Sequence, residues 1–596
     1  MFIKDLYDLK KEPLHLEPKE VAFEVHLSRE GKYLTLLRTQ GEEQKPEAPP
    51  FKPAASKKPG SSRARSKVML VPWIPTRSSN VDPRFLVDNG GYVLGLSDKS
   101  TERAEKYHKA FVERIEKAHK ETGHPMLKAV LSFFASKDDR KLLLDDLKKD
   151  VRFSPEFDHF TFRVDGNLIL EDEALLEWRR KEIVEILRPK CDEGTCIVTG
   201  EKGLLARTLP KIKGIPGTRL GMGAALVMLQ PNGSPNALIS RGRLAGNSPI
   251  GLEVGIGAVK SLNWLIKDPA HHVKLSESSM AVFWPRADIP DEGIADAIAR
   301  ALREGERESL KKFFLSVQSG KLVIPDDPFG FSILCLAGRG SSVSVMSYER
   351  MPIAAAVERL NAFFDALYAD GTQYGNYGLW HIIGALAPRG DLKKIPPDWP
   401  KAIFETAIFG RPLSPAIQST AIKRYSIAKR TEKSETSKEP YHLSRQAIRI
   451  GLIRIFERRN GMDPTKSPGY LLGRLFSEYE NAQRKAITSI GADIGARYFD
   501  TALSRPKMAF FELARGFEAH QRKIARRNPG LGVRIRKRVG EILSSLDPRD
   551  PFPAILSQEE KGRFILGRNM QNQSQYKKPE VTVVEEPETQ KEESHV

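Results

Sequence analysis

Apolar and polar positions alternate along VAFEVHLSREGKYLTLLRT (21–39), and the alternation turns at Arg29-Glu30-Gly31. Period-two alternation about a glycine turn predicts a β-hairpin. VMLVPWIP (68–75) resumes the strand pattern. Between the two, residues 41–66 are rich in Pro, Glu, Lys, Ala and Ser, which predicts a disordered loop or insertion. The period changes after Ser100. Ala104, Tyr107, Phe111, Ile115 and Ala118 recur at helical spacing and predict a helix over 101–122. FDHFTFRV and NLIL (157–170) read as strands, and EALLEWRRKEIVEILR (173–188) as a helix. From 195 to 350, strand-like runs such as AALVML, MAVFWP and SSVSVMSY mix with a few helices; from about 353 nearly every segment is helical. The predicted fold class is α+β: a mixed α/β body over 1–350, then an all-helical part made of a connecting region (351–460) and a bundle (461–570). Residues 571–596 are polar, become acidic, and read as a disordered tail.

Composition sharpens the picture. A chain of 596 residues is long for one domain, and a hydrophobic content of 40% is enough to build cores. The net charge of +19 favours an anionic partner, nucleic acid before anionic lipid, and on charge alone a basic but ordinary enzyme stays open. No apolar run is long enough for a transmembrane helix, and the opening MFIKDLYDLKKEP is too polar for a signal peptide. Three cysteines fit a reducing compartment. The expectation is a cytoplasmic protein with no membrane partner.

The charge is concentrated. Residues 421–540 hold 27 Lys/Arg against 11 Asp/Glu, densest at KRYSIAKR (423–430), FERRN (456–460), HQRKIARR (520–527) and RIRKR (534–538). On a helix Arg522, Lys523, Arg526 and Arg527 share one face. With Arg458, Arg459, Arg534 and Arg536 they make a candidate track for a sugar-phosphate backbone, held by charge without reading bases. A solvated helix face is the usual fate of one basic run; four runs with few acids favour the track.

Motifs for chemistry are scarce. CDEGTCIVTGEKGLLARTLPKIKGIPG (191–217) offers two cysteines and a TGEKG resembling a phosphate loop. The loop lacks the Gly-Lys-Ser/Thr needed to cradle phosphates and hold magnesium. Cys191 and Cys196 have no second ligand pair, and a structural zinc needs four ligands. His271-His272 has no third ligand at a recognisable spacing and reads as a surface pair. The expectation is no catalytic residue, no metal and no cofactor, which leans toward a binding subunit. A nuclease whose metal site assembles only in three dimensions stays open, as does a standalone RNA-binding helical scaffold.

CIVTGEKGLLARTLPKIKGIPG resembles the central signature of the CRISPR-associated Csd-type large subunit of type I-C Cascade. Other segments agree in order: MFIKDLYDL, VPWIPTRSSNVDPRFLVDNGGYVLGL (71–96), MAVFWPRAD, GLWHIIGALAPRGD (378–391), ETAIFGRPLSPAIQSTAIKR (405–424), GYLLGRLFSEYENAQRKA (469–486) and FPAILSQEEKGRFILGRNMQNQ (552–573). The match runs from about residue 1 to 575. Asn80 stands where the family has Gly, and Leu209 where it has His.

The resemblance implies a non-catalytic subunit of an RNA-guided surveillance complex. Its partners would be the guide CRISPR RNA, target duplex DNA and its displaced strand, a repeated backbone subunit, a guide-processing subunit and a separate helicase-nuclease. It would read the short protospacer-adjacent motif (PAM), help open the duplex, stabilise the R-loop and offer a docking surface for the helicase-nuclease. The helical end resembles the small subunit, and an internal start at Met462 would release it alone. The favoured PAM residues are Arg77, Ser78, Ser79, Asn80 and Arg84, short or forked side chains on a turn-rich loop, with Lys211 and Lys213 secondary. The plain alternatives are a surface turn and a solvated strand edge.

Overall fold

The computed structural model describes residues 1–9, 15–40, 66–74, 81–98, 100–150, 152–219, 223–226, 248–289, 293–312, 330–368, 377–431, 439–458, 463–487 and 493–576. The architecture is α+β, with sheets toward the N-terminus and helices toward the C-terminus. Two compact units form. The first holds residues 1–268 with 286–288 and 334–348; the second holds 269–285, 289–333 and 349–596. The sequence pattern places its break near 350, where strands cease. The first unit instead runs unbroken only to residue 268, and residues 286–288 and 334–348 return to it from further along the chain.

In the first unit the chain opens with α1 (Phe2–Asp8), β1 (Leu16–Val21), β2 (Phe23–Leu27) and β3 (Tyr33–Arg38). β2 and β3 form the expected antiparallel hairpin. β4 (Lys67–Pro72) pairs with β1, not with that hairpin. β5 (Asp88–Asn89) leads into the short α2 (Gly90–Val93) and then α3 (Thr101–Thr122), α4 (Pro125–Ala135) and α5 (Lys137–Leu147). β6 (His159–Val164) lies parallel to β2 and antiparallel to β5 and β7 (Asn167–Leu168), giving the order β3-β2-β6-β5. One face of this sheet supplies Phe23, Val25, Phe160 and Phe162 to a core closed by Phe111, Ile115, Phe133 and Phe134.

The sequence dictates α3 closely. The Ser100 hydroxyl caps the Arg103 amide, Ala104, Phe111, Ile115 and Ala118 are buried, and Gly123 ends the helix in the left-handed region. Such a cap contributes about 1 kcal/mol, and each large buried side chain about 1.5–3 kcal/mol. After β7 come α6 (Glu173–Leu187), β8 (Cys191–Thr195), β9 (Lys202–Ala206) and α7 (Leu252–Lys267).

The second unit contains the antiparallel pair β10 (His272–Lys274) and β11 (Ser279–Pro285), then α8 (Ile294–Glu304). β12 (Phe331–Arg339) and β13 (Ser342–Met351), most of whose residues belong to the first unit, are the last described strands. Helices follow: α9 (Ile353–Tyr368), α10 (Leu379–Leu386), α11 (Trp399–Phe409), α12 (Pro415–Thr431), α13 (Glu439–Arg458), α14 (Pro468–Ala486), α15 (Ile494–Ser504), α16 (Pro506–Arg527), α17 (Pro529–Ser544) and α18 (Gln558–Tyr576). α14 and α18 run parallel at backbone contact. A Cβ on Gly473 would stand 2.0 Å from the Phe564 carbonyl oxygen, and one on Gly567 2.0 Å from that of Tyr470. Phe476, Tyr479, Phe499, Phe510 and Phe564 fill the space around them.

Two expectations are corrected here. Residues 571–576 belong to α18 rather than to a disordered tail: Gln571 Nε2 donates to the buried Glu478 carboxylate at 2.7 Å and Gln575 Nε2 at 3.1 Å, so one side of the polar run points inward. His271 is buried, not a surface residue, and its Nδ1 bonds the Phe283 carbonyl at 3.1 Å. The loop expected over 41–66 lies outside the described residues apart from Ser66, and so do residues 577–596 and Met462.

Candidate nucleic-acid interface

Arg77, Ser78, Ser79 and Asn80 lie outside the described residues, within a run, 75–80, whose flanking residues 74 and 81 are described. On the N-terminal side, the Trp73 carbonyl accepts from Arg179 Nη2 at 3.0 Å. On the C-terminal side, Arg114 bonds the Pro83 carbonyl and pairs with Asp82 at 3.0 Å. Glu182 joins the two: it pairs with Arg179 and lies 3.7 Å from both Arg114 and Lys117. Arg179 is wholly buried, and burial lowers its pKa from the ordinary value while Glu182 opposes the shift.

Arg84 does not reach outward as expected. Its guanidinium pairs with Glu17 at 2.5 Å and is 11% exposed, and its amide donates to Asp88 at 2.8 Å. Asp88 also accepts from the Asn89 amide, and Asn89 caps α2. The FLVDN stretch is therefore scaffold that follows the 75–80 segment. Sequence reasoning missed Arg179 and Glu182. The signal was there: Arg179 falls at i, i+4 spacing between Leu175 and Ile183, a cation on a buried stripe.

The second candidate segment is a pair of turns. β8 and β9 are antiparallel, and residues 196–201 turn between them with Gly200 at φ +77°, so that the Lys202 and Gly203 of TGEKG already belong to β9. Cys191 and Cys196 are buried and free. The Cys196 Sγ accepts the Gly251 and Val198 amides. Burial opposes thiolate formation there, but these amides together with Thr199 outweigh it and lower the thiol's pKa. Among the described residues no group of three or more His, Cys, Asp or Glu stands close enough to hold a metal ion. Ile212 of PKIKG and Ile215 just after it are buried, and Asn263 clamps the backbone: it accepts from the Lys213 amide at 2.8 Å and donates to the Lys211 carbonyl. The Lys211 and Lys213 side chains are left exposed.

The third is the hairpin of α16 and α17. Asn528 alone separates the helices, and its side chain caps the Leu531 amide. Gly532 lets them meet, since a Cβ there would stand 3.2 Å from Ala525 Cα. Gln521 Nε2 donates to the Gly532 carbonyl at 2.6 Å. Buried Phe510, Leu513, Phe517 and Ile524 face the bundle, which turns Arg522, Lys523, Arg526 and Arg527 outward together. Arg534 is exposed as well. No carboxylate among the described residues pairs with any of these five. Arg536 pairs with Glu518 at 2.9 Å on the surface. Arg458 is exposed at the end of α13, and Arg459 lies outside the described residues.

An uncompensated row of guanidiniums on a rigid helical hairpin is a surface for polyanions. Comparison with protein families agrees on the class: this is a CRISPR-associated protein. The family model for CRISPR-associated protein (Cas_Csd1) matches residues 6–576, and the chain belongs to that family. No curated protein matches the chain. No helix of the described residues is long and apolar enough to cross a membrane.

Proposed function

We propose that this chain is the large subunit of a type I-C Cascade, a non-catalytic member of an RNA-guided complex. The reading rests above all on the exposed, carboxylate-free cation row of α16 and α17 in a CRISPR-associated chain. That row tracks the backbone of the displaced strand. The 77–80 segment meets the PAM, and Lys211 and Lys213 add contacts to nearby DNA. Arg84, tied to Glu17, holds the base of the segment instead. The guide RNA, the repeated backbone subunit, the guide-processing subunit and the helicase-nuclease complete the assembly, and a product begun at Met462 adds a free copy of the helical end.

The decisive experiment combines Arg522→Gln, Arg526→Gln and Arg527→Gln. Loss of three phosphate contacts lowers the log-log salt slope for single-stranded DNA by about 2 and weakens binding to all sequences alike. PAM choice is unchanged. A changed PAM preference with an unchanged salt slope would overturn the assignment. Conversely, Asn80→Ala with Arg77→Ala abolishes PAM discrimination and leaves the salt slope close to wild type. Magnesium- or manganese-dependent cleavage by the purified chain would refute the non-catalytic role.

A further inference from the structure

The outer face of α16 carries more than charge. Phe511 is 73% exposed and Met508 62% exposed, although the neighbouring Phe510 is fully buried. At about 100° per residue, positions 508, 511, 515, 522 and 526 fall within an arc of about 60°. Met508 and Phe511 thus stand in line with Arg515, Arg522 and Arg526 on one stripe. Glu512 and Glu518 flank it, and each is taken up by an arginine, Arg515 and Arg536 respectively. Arg522 and Arg526 keep no carboxylate partner among the described residues. From Phe511 to Arg526 the rise is about 22 Å.

A single exposed apolar side chain is ordinary, but Met508 and Phe511 standing in line with free guanidiniums suit a partner offering both an apolar face and negative charge. Nucleobases and phosphates in a single strand offer both. In a duplex the base faces are stacked away, so Phe511 selects the unpaired state. A track about 22 Å long suits about four nucleotides, the lower end of the range for single-strand sites.

We infer that the outer stripe of α16 is a single-stranded nucleic-acid site in which Phe511 stacks on an unpaired base while Arg522 and Arg526 hold the flanking phosphates. The inference rests on the backbone-tracking role proposed above and adds base stacking to it. It assigns this helix a preference for melted over paired nucleic acid, which charge alone does not supply.

The test uses the full chain and three labelled 12-mers: oligo-dT, oligo-rU and an abasic DNA strand with the same phosphates. Phe511→Ala weakens binding to oligo-dT by about 5- to 100-fold and leaves the abasic strand unaffected. Phe511→Trp retains affinity, and its added indole fluorescence is quenched by oligo-dT but not by the abasic strand. Arg522→Gln with Arg526→Gln weakens all strands. The rU arm separates the sources: an equal Phe511→Ala loss on rU means that either RNA or DNA occupies the site, and a loss on dT alone assigns it to DNA. Both outcomes support stacking. If Phe511→Ala changes neither strand while the arginine variant weakens both, stacking is refuted and the backbone role stands. If the arginine variant also has no effect, both fall. If Phe511→Ala instead blocks assembly with the other complex subunits and spares oligonucleotide binding, the face is a protein dock and the inference is overturned. Phe511 is exposed, so its truncation leaves the bundle core intact.

Discussion

Removing one carboxylate tests how the ends of the 75–80 segment are held. The Arg179 and Glu182 side chains are 0% and 7% exposed. In Glu182→Ala the Arg179 guanidinium stays inside, with the Trp73 carbonyl as its remaining hydrogen-bond acceptor. Stripping one partner from a buried pair costs about 3–5 kcal/mol, against about 0.2–1 kcal/mol for exposed pairs such as Arg180–Glu177 on the same helix. The reverse change is milder. Arg179→Met leaves Glu182 with Arg114 and Lys117, both at 3.7 Å, and the loss falls to about 1–3 kcal/mol. Arg179→Met combined with Glu182→Leu removes both charges and recovers much of the stability, because neither ion then has to be desolvated. Urea unfolding of the full chain, followed by tryptophan fluorescence, gives the ranking, and two of its six tryptophans, Trp73 and Trp178, lie at the pair. Glu182→Ala should be worst, Arg179→Met intermediate and the pair of changes least harmful. A Glu182→Ala loss below about 1 kcal/mol, or a double variant no better than Glu182→Ala, would refute the clamp.

Two further outcomes are expected. Gly473→Ala drives a methyl to 2.0 Å from a backbone oxygen and costs at least about 1–3 kcal/mol, whereas Gly516→Ala meets nothing within 4 Å and stabilises by up to about 1 kcal/mol; melting temperatures should move in opposite directions. His381 is half-buried, and the lost solvation lowers its pKa below the ordinary 6.5; its neutral Nδ1 accepts the Gly378 amide at 3.2 Å. The folded state therefore binds fewer protons than the unfolded one just below pH 6.5, so this contribution is present above 6.5 and is lost as the pH falls through the lower folded-state value. His381→Gln keeps an acceptor that does not titrate, and it should flatten this part of the stability profile between about pH 7 and pH 5.

What the chain reveals before folding follows from how local each interaction is. α3 is legible because its cap, buried stripe and terminating glycine all lie between Ser100 and Gly123. The β2–β3 hairpin is legible for the same reason. The pairing of β1 with β4 is not, since the partners lie far apart in the chain and the run after 67 looks like a third strand of the hairpin. α18 runs past 571 because Gln571 and Gln575 satisfy Glu478, 93 and 97 residues away in sequence; a polar run carries no mark of a distant buried acid. The cation row on α16 was legible from spacing alone. Arg84 was not, because Glu17 answers it from 67 residues upstream.

The helical end hides part of its own electrostatics. Among the described residues three of its acids, Glu457, Glu478 and Glu480, are buried. Glu457 pairs with Arg563 at 2.8 Å and Glu480 accepts two bonds from Arg568, both arginines lying beyond residue 540. Glu478 takes Arg538, Gln571 and Gln575. Burial pushes the Glu457 pKa up and the Arg563 guanidinium pulls it back, so this carboxylate is spent on holding helices together. Each acid turned inward is one fewer to neutralise the outside. The count of 27 cations to 11 acids therefore understates how positive the outer faces of α16 and α17 are. The polar interior of the bundle and its cationic exterior are one design: carboxylates are used to register α14 against α18, and the arginines left over face whatever strand lies along the hairpin.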